Sequence, residues 1–476
     1  MHFSKDDLKV VLRDFGEVTY YFSFSLFVPI IIALIYSEDF SAYSAFIFSA
    51  LIGLLIGFIF KKLFKTTSYA REPHAIACLG LIWVVLPIIG GLPFYLHGDL
   101  NFVDSYFESV SAITTTGLTM VENRMPNSLI FWRAFEGWIG GAGIVILALI
   151  GLMHYVGGAK LFEAEGSEIR LRPNIINSVK QIWWVYSIIT AFGVVLLLLT
   201  GVGLFDSVTL SMSAISTTGV ENYQAQLITL NSVWTETALA VIMMLGAFPF
   251  MVHYRFLKKE LKAYFRDIQV RIILAIALIA TILIAPQIAG LYKSDAIRYA
   301  AFHSVSAVTA GGFNASILTS WNSFTKLVLM ILMFIGGAAG STAGGIKIIR
   351  FWLMLKSFYW SIKAKTLPSS AYFSRKIAGK EVDDSEISSN LSYVLFYITF
   401  LILGILVLSL VETGYKFEDI SFEVISAQGN AGITVGVTSQ SLNVISKLML
   451  CINMIVGRIE IIPVLAFVGF LLKIKR

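Results

Sequence analysis

Charge is scarce in this chain of 476 residues, where Asp, Glu, Lys and Arg make up only 14%. A soluble domain carries roughly 25%. With 57% apolar residues and a mean hydropathy of +0.78, too little polar surface exists to face water, and a cytosolic enzyme is excluded. Cysteine is nearly absent. Cys78 and Cys451 both lie in apolar runs, which excludes a disulfide framework and a Cys-rich metal site. The six histidines are scattered. No Ser/His or His/Asp/Glu constellation sits at membrane depth, so an intramembrane enzyme, the reading from another class, lacks its chemistry. No acidic excess balances the bases either: the net charge is +6, and its placement decides between nucleic acid and membrane.

What the chain has is long apolar stretches. Ten are long enough to cross a hydrocarbon core: 18–36, 43–60, 75–96, 129–153, 182–204, 233–252, 272–291, 327–355, 391–411 and 448–472. The first is too long for a signal-peptide core and has no cleavage site, so it reads as a retained span. With the N-terminus in the cytoplasm, the inner segments collect 28 of the 36 Lys and Arg residues. That bias predicts both termini inside and accounts for the basic charge without nucleic acid. Segment 255–271 (RFLKKELKAYFRDIQVR) remains a candidate docking stretch, against the plainer reading of solvated loop charge.

A repeat lies in the outer loops. After the third, fifth, seventh and ninth spans stand SAITTTG (Ser111–Gly117), SAISTTG (Ser213–Gly219), SAVTAGG (Ser306–Gly312) and SAQGNAG (Ser426–Gly432). Seven residues before these serines stand Asp104, Asp206, Tyr299 and Asp419, a phase in which Asp is expected to cap a short helix. Each half-hydrophobic segment is too short to span and too apolar for water, which predicts a re-entrant half-helix whose Ser/Thr/Gly tail lines a pore. Ordinary turns are the bland alternative, and four copies in one register argue against it. Four such tails would form a pseudo-fourfold ring of carbonyls able to replace the hydration shell of potassium. The candidate ion-binding residues are Thr114, Thr115, Thr116, Gly117, Ser216, Thr217, Thr218, Gly219, Thr309, Ala310, Gly311, Gly312, Gly429, Asn430, Ala431 and Gly432.

Together with GWIGGAGI (137–144), GGAAGSTAGGIK (336–347) and GRIE (457–460), these loops make the chain resemble the Trk/Ktr/HKT superfamily of potassium transporters, the TrkH branch most closely, over essentially its whole length. The expected fold is an all-α polytopic membrane protein: two leading transmembrane helices (1–74), then helix–pore loop–helix repeats at 75–181, 182–271, 272–390 and 391–476. The resemblance implies channel-like potassium translocation across the plasma membrane, with potassium as substrate and no cofactor in this chain. It also implies a homodimer standing on a cytosolic ring of nucleotide-binding regulatory subunits. A sodium-preferring pore or a cation-coupled symporter is the alternative. In the plant branch, serine at the first-loop glycine goes with sodium preference, so Gly117 points to potassium.

Ten small residues, Gly336 to Gly345, five of them Gly, interrupt the eighth span and are expected to open its helix. Gly336, Gly340 and Gly344 also have the spacing of a GxxxG packing face. A nucleotide-binding loop is rejected, since Lys347 is one residue out of register and no strand precedes it. In the resembled family this stretch is an intramembrane gating loop, which implies gating roles for Gly336, Gly337, Gly340, Ser341, Thr342, Gly344, Gly345 and Lys347. Arg458, deep in the tenth span, either pairs with an acid such as Glu136 or Glu236 or, as the resemblance implies, stands in the pore beside that loop. Glu108 and Glu423 share a phase three residues before their serines and are expected to hydrogen-bond at a buried helix end rather than to face the ion.

Overall fold

A computed structural model describes residues 5–66, 68, 72–143, 175–221, 227–366, 368, 374–377 and 380–459. Ile144, Glu460, the inner loop from 154 to 174 and the end of the tenth expected span lie outside the described residues. Apart from a two-residue antiparallel ladder, Lys376–Ile377 with Lys380–Glu381, the described elements are helices.

The chain begins with Lys5–Ser25, which breaks at Leu26–Phe27 and continues as Val28–Ile35. Pro29 falls in the first turn of the second piece, where its missing N–H costs nothing. Phe40–Leu63 returns along the first helix and completes the leading pair.

Four units follow, each an outer helix, a short helix and an inner helix. The outer helices are Glu72–His97, Ile175–Leu199, Ile268–Tyr292 and Asp384–Val411. The short helices are Phe102–Ile113, Leu204–Ile215, Ala296–Val308 and Phe417–Gln428. The inner helices are Asn127–Gly141, Val233–Ala247, Ser323–Ile335 and Val444–Ile459. Outer helices are apolar all round and present side chains such as Leu278, Ile282 and Leu406 outward, as lipid-facing helices do. Short helices are almost wholly buried, polar serines included. Each inner helix packs on its own short helix and on that of the next unit, the fourth returning to the first, so the units close a ring.

Two expectations need correction: that the sixth span is one unbroken helix, and that the phased aspartates cap the short helices. By length and composition, six described helices can cross a membrane, or seven if one bent pair counts as a span. The fourth and tenth expected spans run past residues 143 and 459. The eighth is two helices, Ser323–Ile335 and Ile348–Thr366. The sixth is also broken: Val233–Ala247 and Phe250–Leu257 meet at 101° across Phe248-Pro249, because Pro249 cannot donate the hydrogen bond that would continue the helix. Nor do the phased aspartates cap the short helices. Asp104, Asp206 and Asp419 are each the third helical residue, and the first helix is capped by Asn101, whose side chain accepts from the Asp104 amide at 3.0 Å.

Candidate ion-conducting site

The four short helices end in one backbone conformation. In every unit the amide five residues after the repeat serine donates back to that serine's carbonyl: Thr116 to Ser111 at 2.8 Å, Thr218 to Ser213 at 2.8 Å, Gly311 to Ser306 at 2.7 Å and Ala431 to Ser426 at 2.9 Å. The preceding residue is left-handed each time: Thr115 (φ 57°), Thr217 (57°), Ala310 (53°) and Asn430 (48°). So is the closing glycine: Gly117 (87°), Gly219 (73°), Gly312 (78°) and Gly432 (72°). Alternation of hand along a short segment turns successive carbonyls to one side, the geometry a dehydrated cation needs.

These glycines meet in a ring. A Cβ on Gly117 would fall 1.7 Å from the Thr218 carbonyl oxygen, one on Gly219 2.7 Å from that of Gly311, one on Gly312 3.1 Å from that of Ala431, and one on Gly432 1.9 Å from that of Thr116. Each unit therefore presents the same glycine to the same carbonyl of its neighbour. Four of the loop hydroxyls bond within their own loops: Thr114 and Thr116 bond each other at 2.8 Å, as do Ser216 and Thr218 at 2.6 Å. Asn430 donates at 2.9 Å both to the Thr116 hydroxyl and to the Met454 carbonyl, bracing the fourth loop against the first. Thr309 bonds back to Val305. Gly429 ends the fourth short helix.

Behind the ring lies the break in the third inner helix. Its last carbonyls are capped by Gly336 (φ 71°), which folds against Gly344 and Gly345 so closely that a Cβ there would meet the Gly344 oxygen at 2.1 Å. The residues from Gly336 to Lys347 are not helical, so Gly336, Gly340 and Gly344 do not form a helical packing face. Thr342 fixes this loop. Its amide donates to Gly246 O at 3.2 Å, and its hydroxyl lies 2.8 Å from Ile215 O and 2.9 Å from Gly246 O. A Cβ on Gly344 would meet Gly429 O at 2.1 Å, and Thr342 reaches Ile215 O, so the loop lies directly against the second and fourth repeat tails. Ser341 bonds Ala338 O, Gly337 accepts from the Ile348 amide, Lys347 bonds Ala343 O, and Gly340 accepts from the Phe250 amide at 2.9 Å.

Arg458 completes the arrangement from the fourth inner helix. Its guanidinium donates to Thr342 O at 2.6 Å, Gly140 O at 3.0 Å and Gly141 O at 3.4 Å. The two acids that sequence offered as partners are engaged otherwise: Glu136 accepts from Ser109, and Glu236 pairs with Arg298 at 2.6 Å. Cations held by helix-end carbonyls are favoured by the dipoles there.

Glu108 and Glu423 hold the chain that leaves the first and fourth loops. Glu108 accepts from the Met120 amide at 2.9 Å and Glu423 from the Val435 amide at 3.3 Å, twelve residues on in both units. Arg133, inside the fourth expected span and missed by the sequence reading, pairs with Glu108 at 2.6 Å. Three seams of the ring are also closed by ion pairs the reading missed: Glu236 with Arg298, Lys326 with Asp419 at 2.7 Å and Lys447 with Asp104 at 2.5 Å. Their signal was present in register. Glu236, Lys326 and Lys447 each stand ten residues before a glycine that lies in or caps the inner helix, Gly246, Gly336 and Gly457, whereas Ile130 holds that phase before Gly140.

A family model described as TrkH, cation transport protein, matches residues 46–473. An uncharacterized cation transporter of Methanocaldococcus jannaschii is 32% identical over 475 residues, covering 97% of this chain and 95% of that one. The Trk system potassium uptake protein TrkG of Escherichia coli K12 is 30% identical over 480 residues, covering 97% and 98%. Among solved structures, the potassium transporter TrkH from Vibrio parahaemolyticus superposes with a TM-score of 0.86 at 25% identity, over 96% of this chain and 98% of that one.

Proposed function

Because this chain belongs to the TrkH family of cation transport proteins, we propose that it carries potassium across the plasma membrane through a channel-like pore. The observation that carries the reading is the ring itself: four loops with one backbone, each glycine seated against its neighbour's carbonyl. The carbonyls near Thr116-Gly117, Thr218-Gly219, Gly311-Gly312 and Ala431-Gly432 coordinate the dehydrated ion. The loop from Gly336 to Lys347 lies across the path behind this filter as the gate, and Arg458 holds it by Thr342 O. The work is transport rather than catalysis, with the ion as cargo.

Both termini lie in the cytoplasm in this reading, since basic residues gather on that side. Two copies associate as a homodimer, each with its own pore, on a cytosolic nucleotide-binding regulatory ring of the Trk type.

The test is rubidium or potassium flux in liposomes that hold only the purified protein, with sodium as competitor. Saturable potassium flux that sodium fails to suppress supports the proposal. Flux of sodium and potassium at equal rates, or strict dependence on a proton gradient, overturns it in favour of a non-selective pore or a coupled carrier. Deleting residues 339–342 should raise flux with no regulator present.

A further inference from the structure

The 101° bend at Pro249 sends the chain sideways into a folded-back segment that the transport reading leaves without a task. Helix Phe250–Leu257, a turn and helix Ala263–Arg266 lead to Asp267, whose side chain caps Ile268–Tyr292 through the Gln269 and Val270 amides at 2.9 and 3.1 Å. The segment is a fixed piece of structure. His253 bonds Tyr264 OH at 2.7 Å and Leu245 O at 2.8 Å, which ties its two halves to each other and to the inner helix.

Its outer surface is of two kinds at once. Phe265 is 80% exposed, Leu261 67%, Leu257 49% and Phe256 40%. Interleaved with them stand Lys258, Lys259 and Lys262, all exposed. Four large apolar side chains turned to water would cost free energy with nothing gained, and three lysines turned to hydrocarbon would cost more. One environment suits both: the boundary of an anionic leaflet, where apolar side chains enter the acyl region while lysines reach back to phosphates. Each lysine near such a surface adds attraction to the anionic phosphates.

The segment also grips the gate at both its ends. The Phe250 amide, at its start, donates to Gly340 O at 2.9 Å, and the Gln269 side-chain oxygen, just past its end, accepts from the Ala339 amide at 2.8 Å. We infer that residues 250–269 dock on anionic phospholipid at the inner membrane surface and that this docking holds the intramembrane loop in place. The coupling half rests on the proposed gate. The sign follows from linkage: a ligand favours the conformation that binds it. The arrangement that presents this surface is the one in which Gly340 and Ala339 are held, so anionic lipid favours the closed loop.

Two readouts test the inference, one independent of flux. Native mass spectrometry of the purified protein measures retained phosphatidylglycerol against phosphatidylcholine, and flux is compared in vesicles of phosphatidylcholine with and without phosphatidylglycerol. The wild type should retain phosphatidylglycerol and conduct roughly threefold less in the anionic vesicles. The variant Lys258→Gln/Lys259→Gln/Lys262→Gln should lose the retained lipid and conduct equally in both. Gln269→Leu should keep the lipid and lose most of the flux difference. Undiminished retention in the lysine variant, the result expected if a soluble protein is the true occupant, overturns the docking. Equal wild-type flux in both vesicles overturns the coupling. Should the 339–342 deletion leave flux unchanged while lysine-dependent retention persists, the gate reading fails and the docking half stands.

Discussion

The four repeat tails and the four inner helices behind them share one repeat register, yet they obey opposite rules. In the tails the same positions carry positive φ, the same amide returns to the same serine, and the same glycine meets the same carbonyl, although the side chains differ from TTTG to GNAG. The inner helices, compared over their described residues, diverge: the second bends at Pro249, the third opens at Gly336, and the fourth carries Arg458. An ion on an axis sees four ligands equivalently and penalises any one that deviates. A barrier needs only one obstruction, and symmetry gives no advantage there.

The comparison breaks most visibly at the glycines. Gly432→Ala would place a Cβ 1.9 Å from Thr116 O on a residue with φ 72°, where a side chain costs about 1–2 kcal/mol before any clash is counted. Gly117→Ala and Gly219→Ala face the same obstruction. All three should lose potassium-over-sodium discrimination by at least about tenfold, read as the ratio of flux rates in liposomes. Full selectivity in any one of them means the ring is not functionally fourfold.

Next in size is the seam that the chain does not close covalently, between the fourth unit and the first. Lys447 and Asp104 are both almost fully buried, so Lys447→Met leaves a carboxylate buried and unpaired, a loss of about 3–5 kcal/mol. Lys326→Met strips partners that are themselves partly exposed, Asp419 and Glu418, and should destabilise less. Thermal melting of the two variants in one detergent ranks the seams, and equal shifts would show that burial does not distinguish them.

Legibility in the sequence divides along the same line. The repeat was readable because Ser-Ala and Gly recur in one register, and the re-entrant helices followed from their length and polarity. The interruption at Gly336 was readable because five glycines within ten residues sustain a helix poorly. The bend at Pro249 was not, since a single proline in an apolar run is compatible with a kink or a full break, and the neighbours that hold the new direction, His253 and Tyr264, are distant in pattern. Asp104 was visible as a phased acid but its partner was not, because Lys447 comes from the far end of the chain and only ring closure brings them together. Arg458 stood out as a charge in a span. Its carbonyl partners could not be read, since backbone acceptors leave no mark in side-chain identity.

Arg458→Ala separates the two regions directly, by touching the gate and leaving the filter. It removes donors to Thr342 O and to the carbonyls of Gly140 and Gly141, while Glu136 and Glu236 keep their own partners, Ser109 and Arg298. A hydrogen bond from a charged group contributes about 1.5–3 kcal/mol, so the loop's closed arrangement should lose roughly tenfold in population. The variant should fold, melt near the wild type, and conduct more with selectivity intact. Loss of selectivity would show that filter and gate are one unit, and a poorly folded protein would make Arg458 a structural strut.

The smallest effect is the sharpest test of where the loop is pinned. Thr342→Val keeps the β-branched shape and the backbone contacts with Gly246 and Arg458, and deletes only the hydroxyl that reaches Ile215 O and Gly246 O. Ile215 ends the second short helix, so this hydroxyl links the loop by a side chain to the base of a filter tail. A neutral hydrogen bond contributes about 0.5–1.5 kcal/mol, less than the arginine's, and Gly246 O keeps the Thr342 amide as its donor. Flux should rise about threefold, and the double variant with Arg458→Ala should exceed either single one by less than the product of their effects, because both act on one residue's hold on one loop. Full multiplicative gain would mean that Thr342 and Arg458 restrain different motions, and the loop would then be two obstructions in series rather than one.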